Sequence, residues 1–166
     1  MNFKRVASDI DCQLVAELGD VIWREHYTPI IGSAQVEYML DHFQSITAIK
    51  KQIAEGVHYY LVENEDENVG YLSFYPKEDA LFISKIYVLS DQRGKGLGKG
   101  AIGFIENNAT DLGLDTLRLT VNKFNTNSIT SYEKMGFFKK EAVVIDIGDG
   151  FVMDDYVMEK ALEMRK

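Results

Sequence analysis

The sequence predicts a mixed α/β (α+β) fold: a mostly antiparallel sheet of about seven strands with a central parallel pair, flanked by helices. Three observations carry this. Helical spacing of apolar residues fills the first third of the chain, then gives way from Val57 to runs rich in aromatic and β-branched residues. A strand, a glycine-rich loop, a helix and a strand follow one another over residues 81–121, a crossover that sets its two strands parallel. The chain then closes on two strand-like runs either side of Gly148-Asp149-Gly150, a hairpin signal.

Length and composition bound the function. A chain of 166 residues favours one domain, residues 1–166, with a substantial core. Apolar residues make up 46% and charged residues 27%, as expected of a globular chain. No run reaches the roughly eighteen apolar residues of a membrane helix. The opening "MNFKRVASDI" lacks an apolar signal core, so a cytoplasmic location and no membrane partner are expected. Cys12 is the sole cysteine, a helix residue that forms no internal disulfide, and the three histidines lack metal-ligand spacing. No metal is expected. The net charge of −8 argues against nucleic acid, which requires a basic face. It suits a small cationic substrate drawn in by the field, or serves solubility alone.

Element by element, residues 3–7 read as a first strand. Ser8 caps a helix, with Asp11 three positions on. Ile10, Leu14, Val15, Leu18, Val21 and Ile22 recur behind it at helical spacing, and the helix should end near Arg24. "EHYTPIIG" reads as a loop, because the residue before Pro29 avoids helical angles. Ser33 is the expected cap of a second helix carrying Val36, Met39, Leu40 and Phe43, and a third piece carries Ile46, Ile49 and Ile53. "VHYYLVEN", "NVGYLSFY" and "ALFISKIYVL" read as three antiparallel strands, with Pro76 in a turn. Leu97, Ala101, Ile102, Ile105, Ala109 and Leu112 mark a helix closed by Gly113. "TLRLTV" is a strand, "SITSYEKM" a short helix stopped by Gly136, and "FFKKEAVVIDI" with "FVMDDYVMEKAL" the final hairpin.

The stretch "DQRGKGLGKG" places Gly94, Gly96, Gly98 and Gly100 at alternate positions, with Arg93, Lys95 and Lys99 between them. Backbone N–H groups free of Cβ obstruction can turn toward one point, and the helix start adds its own. Residues 85–100 hold four cations and one acid within an acidic chain. Together these describe a cradle for phosphate or pyrophosphate. A Walker A loop fails on spacing. Gly96-Leu97-Gly98-Lys99-Gly100-Ala101 has the G-x-G-x-x-A form of a dinucleotide loop, but Asn122 closes the next strand where an acid should bind ribose.

Arg93-Gly94-Lys95-Gly96-Leu97-Gly98 resembles the R/Q-x-x-G-x-G/A loop of the GNAT superfamily of N-acetyltransferases. "VNKFNTNSITSYEKMGF" is similar to the family's second signature, with Val121, Asn122, Asn125, Tyr132, Gly136 and Phe137 in register and Ser128 replacing alanine. The two matches span residues 81–137. The resemblance implies that acetyl-coenzyme A is the co-substrate. Ile86, Tyr87 and Val88 would pair by backbone with its pantetheine arm, which lies where this strand splays from the next. Amides of Gly94, Gly96, Leu97, Gly98 and Lys99 would hold the pyrophosphate, with charge from Arg93, Lys95 and Lys99. Asn125 and Ser128 would line the same ligand, and Tyr132 would approach the sulfur and protonate the leaving thiolate.

An alkyl amine with a pKa of roughly 10.4 is neutral in only about one molecule in 2,500 at pH 7, a deficit of about 4.6 kcal/mol. Many relatives place a glutamate before the glycine loop, but Ile83-Ser84-Lys85-Ile86 offers no acid. The substitutes lie in segments the family uses for its acceptor: Glu25, His26 and Tyr27 between the first helices, and Asp146, Asp149, Asp154 and Asp155 in the last hairpin. His26 has the intrinsic pKa of a base. Glu25, Tyr27 and Asp146 are the expected acceptor contacts. The implied function is acetyl transfer to a primary amine of a small cationic acceptor by direct attack. The tail and the glycine run look similar to the spermidine/spermine acetyltransferase branch. The rival functions are a non-catalytic acyl-coenzyme A sensor and a dinucleotide-binding oxidoreductase. Dimers are common in the family, which admits a homodimer, though no residue here demands one.

Overall fold

The computed structural model describes residues 1–163; the last three residues of the expected domain lie outside them. In chain order the elements are β1 (Asn2–Arg5), α1 (Asp9–Ile31), α2 (Ser33–Phe43), α3 (Ile46–Ala54), β2 (His58–Asn64), β3 (Glu67–Lys77), β4 (Ala80–Val88), α4 (Leu97–Asp111), β5 (Thr116–Asn122), α5 (Thr126–Lys134), β6 (Phe138–Gly148) and β7 (Phe151–Ala161). The strand order is β1-β2-β3-β4-β5-β7-β6. Leu81, Phe82 and Ile83 of β4 pair in parallel with Leu117, Arg118 and Leu119 of β5. The pairs β1–β2, β2–β3, β5–β7 and β6–β7 are antiparallel. This is the predicted mixed sheet, with its parallel pair inside an otherwise mostly antiparallel order. The chain gathers into two units, one of Met1–Tyr75 with Lys85–Ile102, the other of Pro76–Ser84 with the residues from Gly103 on.

In the first unit α1 begins on a complete capping box: the Ser8 hydroxyl accepts the Asp11 N–H at 3.1 Å, and the Asp11 carboxylate accepts the Ser8 N–H. Its buried stripe is Cys12, Val15, Gly19 and Ile22–Trp23. Ile10 and Val21, expected in the core, are 71% and 51% exposed because the stripe turns away from them. Cys12 and Val15 pack with Val6, Ile49, Tyr59, Leu61 and Tyr71. Burying a side chain such as Ile49 contributes about 1.5–3 kcal/mol.

Two helix boundaries differ from expectation. The helix does not end near Arg24 but runs to Ile31 with Pro29 inside it. The preference of the residue before proline is overridden by packing: Tyr27 lies edge-on to Trp23, with ring centroids 5.6 Å apart. Glu25, His26 and Tyr27 are therefore helical, not loop, residues. Ser33 is the first residue of α2 rather than its cap; the capping position is Gly32, at φ +85°. Ser45 does cap α3, its hydroxyl accepting the Ala48 N–H, and Ile46 then faces solvent. Pro76 lies near the end of β3 rather than in a turn.

The second unit is built on β5, β7 and β6. Leu117, Leu119 and Val121 are buried on one face of β5. On its other face Arg118 donates to Glu159 at 2.6 Å and reaches Glu78 and Asp79. The Gly148-Asp149-Gly150 turn holds three successive left-handed residues, at φ +95°, +55° and +80°. Gly113 and Gly136, left-handed at +75° and +98°, follow α4 and α5 as the sequence predicts. Leu112 is exposed, beyond the buried stripe of Ile105 and Ala109.

Candidate active site

In the first unit β4 leads straight into the glycine run. Leu89 N–H donates to the Val69 carbonyl at 2.9 Å, and a 3-10 turn at Ser90–Gln92 follows. Gly94 and Gly96 then take φ of +77° and +76°. A Cβ at either would meet nothing within 4 Å, so the backbone angle, not space, requires glycine there. The α4 helix starts at Leu97, whose buried side chain anchors it. Gly100 N–H bonds back to the Gly96 carbonyl at 3.0 Å, so the amides of Leu97, Gly98 and Lys99 form the open first turn. Gly98 also leaves clear space where its Cβ would be. Arg93, Lys95 and Lys99 are exposed, and Lys95 Nζ donates to Gln92 Oε1 at 3.3 Å. Open amides, the positive helix end and three cations fit a diphosphate.

Ile86, Tyr87 and Val88 lie past the three residue pairs of the β4–β5 ladder, so their strand enters the loop as extended backbone beyond that pairing. The Tyr87 ring packs on Trp23 and Tyr71, at 5.4 and 5.6 Å, and its hydroxyl shares a 3.1 Å hydrogen bond with that of Tyr27. Two residues expected on the carrier and acceptor sides are thus brought together. His26 is half-buried, edge-on to Tyr27 at 4.8 Å, and Glu25 is exposed.

Beneath them runs a buried chain of donors and acceptors. Trp23 Nε1 donates to the Tyr71 hydroxyl at 3.0 Å, and that hydroxyl donates to Gln44 Oε1 at 2.5 Å. Gln44 Nε2 donates to the Tyr59 hydroxyl, which donates to Gln52. Burial raises the Tyr59 phenol to about 12 and Tyr71 well above its ordinary value. Lys85, counted with the loop cations in the sequence, does not join them. Its ammonium lies 5.9 Å from the centre of the Tyr59 ring, and burial lowers its pKa to about 8.

In the second unit Asn125 is buried at the start of α5, its N–H donating to the Asn122 carbonyl at 3.0 Å. Ser128 and Tyr132 are half-buried on that helix. The Tyr132 ring stands edge-on to Phe137 at 5.5 Å, and its carbonyl accepts the Phe137 N–H. Asp146 Oδ1 accepts the Gly148 N–H at 2.8 Å, a turn-forming contact. Asp154 pairs with Lys123 at 2.7 Å. Asp155 is only 1% exposed, and among the described residues neither carboxylate oxygen has a hydrogen-bond partner. Burial raises its pKa to about 6. The signal for it was legible: an acid pair inside the apolar run "VMDDYVM". Among the described residues no group of three or more His, Cys, Asp and Glu is placed to hold a metal, and no helix is long and apolar enough to cross a membrane.

Residues 16–137, well over half of the chain, match the model of the acetyltransferase (GNAT) family. The chain belongs to that family. Its membership makes it an N-acetyltransferase that uses acetyl-coenzyme A. Among curated proteins none matches the sequence. Solved GNAT structures match in fold. The PaiA N-acetyltransferase of Thermoplasma acidophilum, solved with coenzyme A, is 18% identical with a TM-score of 0.81, over 97% of this chain and 99% of that one. The ribosomal-protein-S18-alanine N-acetyltransferase of Escherichia coli is 16% identical with a TM-score of 0.72, over 99% and 96%. Aminoglycoside 6'-acetyltransferase type Ii is 18% identical with a TM-score of 0.66, over the full length of both chains.

Proposed function

We propose that this acetyltransferase acts, as one domain over residues 1–166, on a primary amine of a small, cationic, polyamine-like acceptor by direct attack in a ternary complex. The observation that carries the donor half is the pair of left-handed glycines, Gly94 and Gly96, which feed the open amides of Leu97, Gly98 and Lys99. Acetyl-coenzyme A supplies an activated acyl group as its thioester. Arg93, Lys95 and Lys99 add charge at the diphosphate, Ile86, Tyr87 and Val88 offer extended backbone to the arm, and Asn125 and Ser128 line it. Tyr132 holds the proton that the departing sulfur takes. His26 is the proton-accepting candidate read from the sequence, with Glu25, Tyr27 and Asp146 contacting the acceptor. The net charge of −8 favours a cation over an anionic acceptor.

The test is titration calorimetry with acetyl-coenzyme A, followed by an amine panel read by free thiol: spermidine, spermine, lysine derivatives, an aminoglycoside and an alanine-ended peptide. Binding with turnover of the polyamines supports the reading. Turnover confined to the peptide or the aminoglycoside would overturn the acceptor class.

A further inference from the structure

Asp155 is out of place for a structural residue. Its two carboxylate oxygens are buried without a hydrogen-bond partner among the described residues, in the middle of β7. A bare buried carboxylate is costly, and such groups in folded proteins are paired or neutral. The groups around it do not pair with it. On its own strand, Asp154 is committed to Lys123, whose ammonium also lies 5.7 Å from the Tyr156 ring centre. Across the β6 ladder its partner is Val143, with Glu141 one step along the same face and exposed. Across the β5 ladder its partner is Asn122, whose Oδ1 accepts the Phe124 N–H. Thr120, on the same face of β5, lies near enough to hold the carboxyl pKa down in part, yet it completes no hydrogen bond of good geometry.

The position within its own unit indicates what the carboxyl serves. Asn122 ends β5, and the turn from Asn122 to Asn125 delivers α5 with Asn125, Ser128 and Tyr132. The carboxyl thus stands in the ladder opposite the residue from which the second signature departs. We propose that Asp155 is the group that receives the proton of the acceptor ammonium. This rests on the amine-transfer reading and replaces His26 in the role. Thr120 is half-buried on the same face, and rotation of its hydroxyl, one donor and two acceptor lone pairs, would let it relay a proton to Asp155.

The proton inventory closes. The acceptor ammonium gives one proton to the carboxylate, which passes it to solvent. The neutral nitrogen forms the N–C bond as the C–S bond breaks, and the nitrogen's second proton ends on sulfur by way of Tyr132. A carboxyl titrating near 6 is a stronger base than an ordinary aspartate and is mostly ionised at pH 7, which suits the task.

Asp155→Asn, Thr120→Val and His26→Ala are compared with wild type for thiol release over pH with spermidine, and for acetyl-coenzyme A affinity by calorimetry. Asp155→Asn should lose at least about a hundredfold in turnover, keep its affinity, and lose the acid limb near pH 6 that His26→Ala retains. Thr120→Val should shift that limb. A second readout needs no turnover. The carboxylic-acid infrared band present in wild type and absent from Asp155→Asn should titrate near pH 6 and fall when spermidine is added. Wild-type turnover and pH profile in Asp155→Asn, or a band indifferent to spermidine, would overturn the assignment. Wild type that binds acetyl-coenzyme A but acetylates no amine sinks the transfer reading itself, and this assignment with it.

Discussion

The carbonyl oxygen of Tyr87 occupies the place where Gly70 would carry a Cβ, and the Val88 Cα lies 3.1 Å from the same point. Both atoms are backbone, so neither can swing aside. Gly70→Ala must therefore displace the strand segment that precedes the glycine loop. The expected result is a loss of roughly 1–3 kcal/mol in stability, as for overpacking, with a weaker acetyl-coenzyme A titration. Thermal melts and calorimetry check both.

Gly94→Ala and Gly96→Ala test the loop in the opposite way, since a Cβ there meets nothing. Each places a side chain at left-handed φ, which costs about 1–2 kcal/mol. The loop relaxes rather than the core, so calorimetry should show acetyl-coenzyme A binding lost or reduced at least about tenfold with little change in melting. Gly98→Ala, within the first turn of α4, should be milder on stability but should still obstruct close approach of the ligand.

Tyr71→Phe removes one hydroxyl from the middle of the chain that links Trp23, Gln44, Tyr59 and Gln52. It leaves the Trp23 N–H and the Gln44 amide oxygen buried without their partner. The expected cost is about 1–3 kcal/mol, a fall of roughly 2–12 °C in Tm. An unchanged melt would mean that the hydroxyl is replaceable by water.

Asp155 gives a signed pH dependence. Its folded-state pKa, about 6, lies above the unfolded value of 3.8. Below pH 3.8 both states are neutral and burial costs nothing through ionisation. Stability is lost as pH rises through that window, and the loss is complete above about 6. Asp155→Asn should therefore be no more stable than wild type in acid and up to about 3 kcal/mol more stable near neutrality. Denaturant titrations at several pH values read this directly.

Tyr132→Phe keeps the ring against Phe137 and removes only the phenol proton. Turnover should fall at least about tenfold with acetyl-coenzyme A affinity preserved. Equal turnover would return Tyr132 to a packing role.

The periodicity of the chain set out nearly every element, because apolar spacing and turn glycines act locally. What it missed was decided at longer range. Pro29 argued for a loop, but Tyr27 rests on Trp23 and meets Tyr87, sixty positions away, so α1 continues through the proline. Ile10 and Val21 fit a helical stripe, yet the stripe buried is the one with Gly19, where a Cβ would stand 3.0 Å from the Tyr71 hydroxyl. At the candidate site, the glycine loop and the asparagine–tyrosine signature were legible as motifs. The surroundings of Lys85 were not, since burial belongs to the folded chain.

Pro29 has one more effect. Lacking an N–H, it cannot donate to the Glu25 carbonyl, so the final turn of α1 is held by fewer bonds, among them Gly32 N–H to the Thr28 carbonyl at 3.0 Å. That end of the rod is its weakest point, and deuterium should enter its amides well before those beside Val15. The helix that presents Glu25, His26 and Tyr27 is thus firm at its root and yielding at its tip.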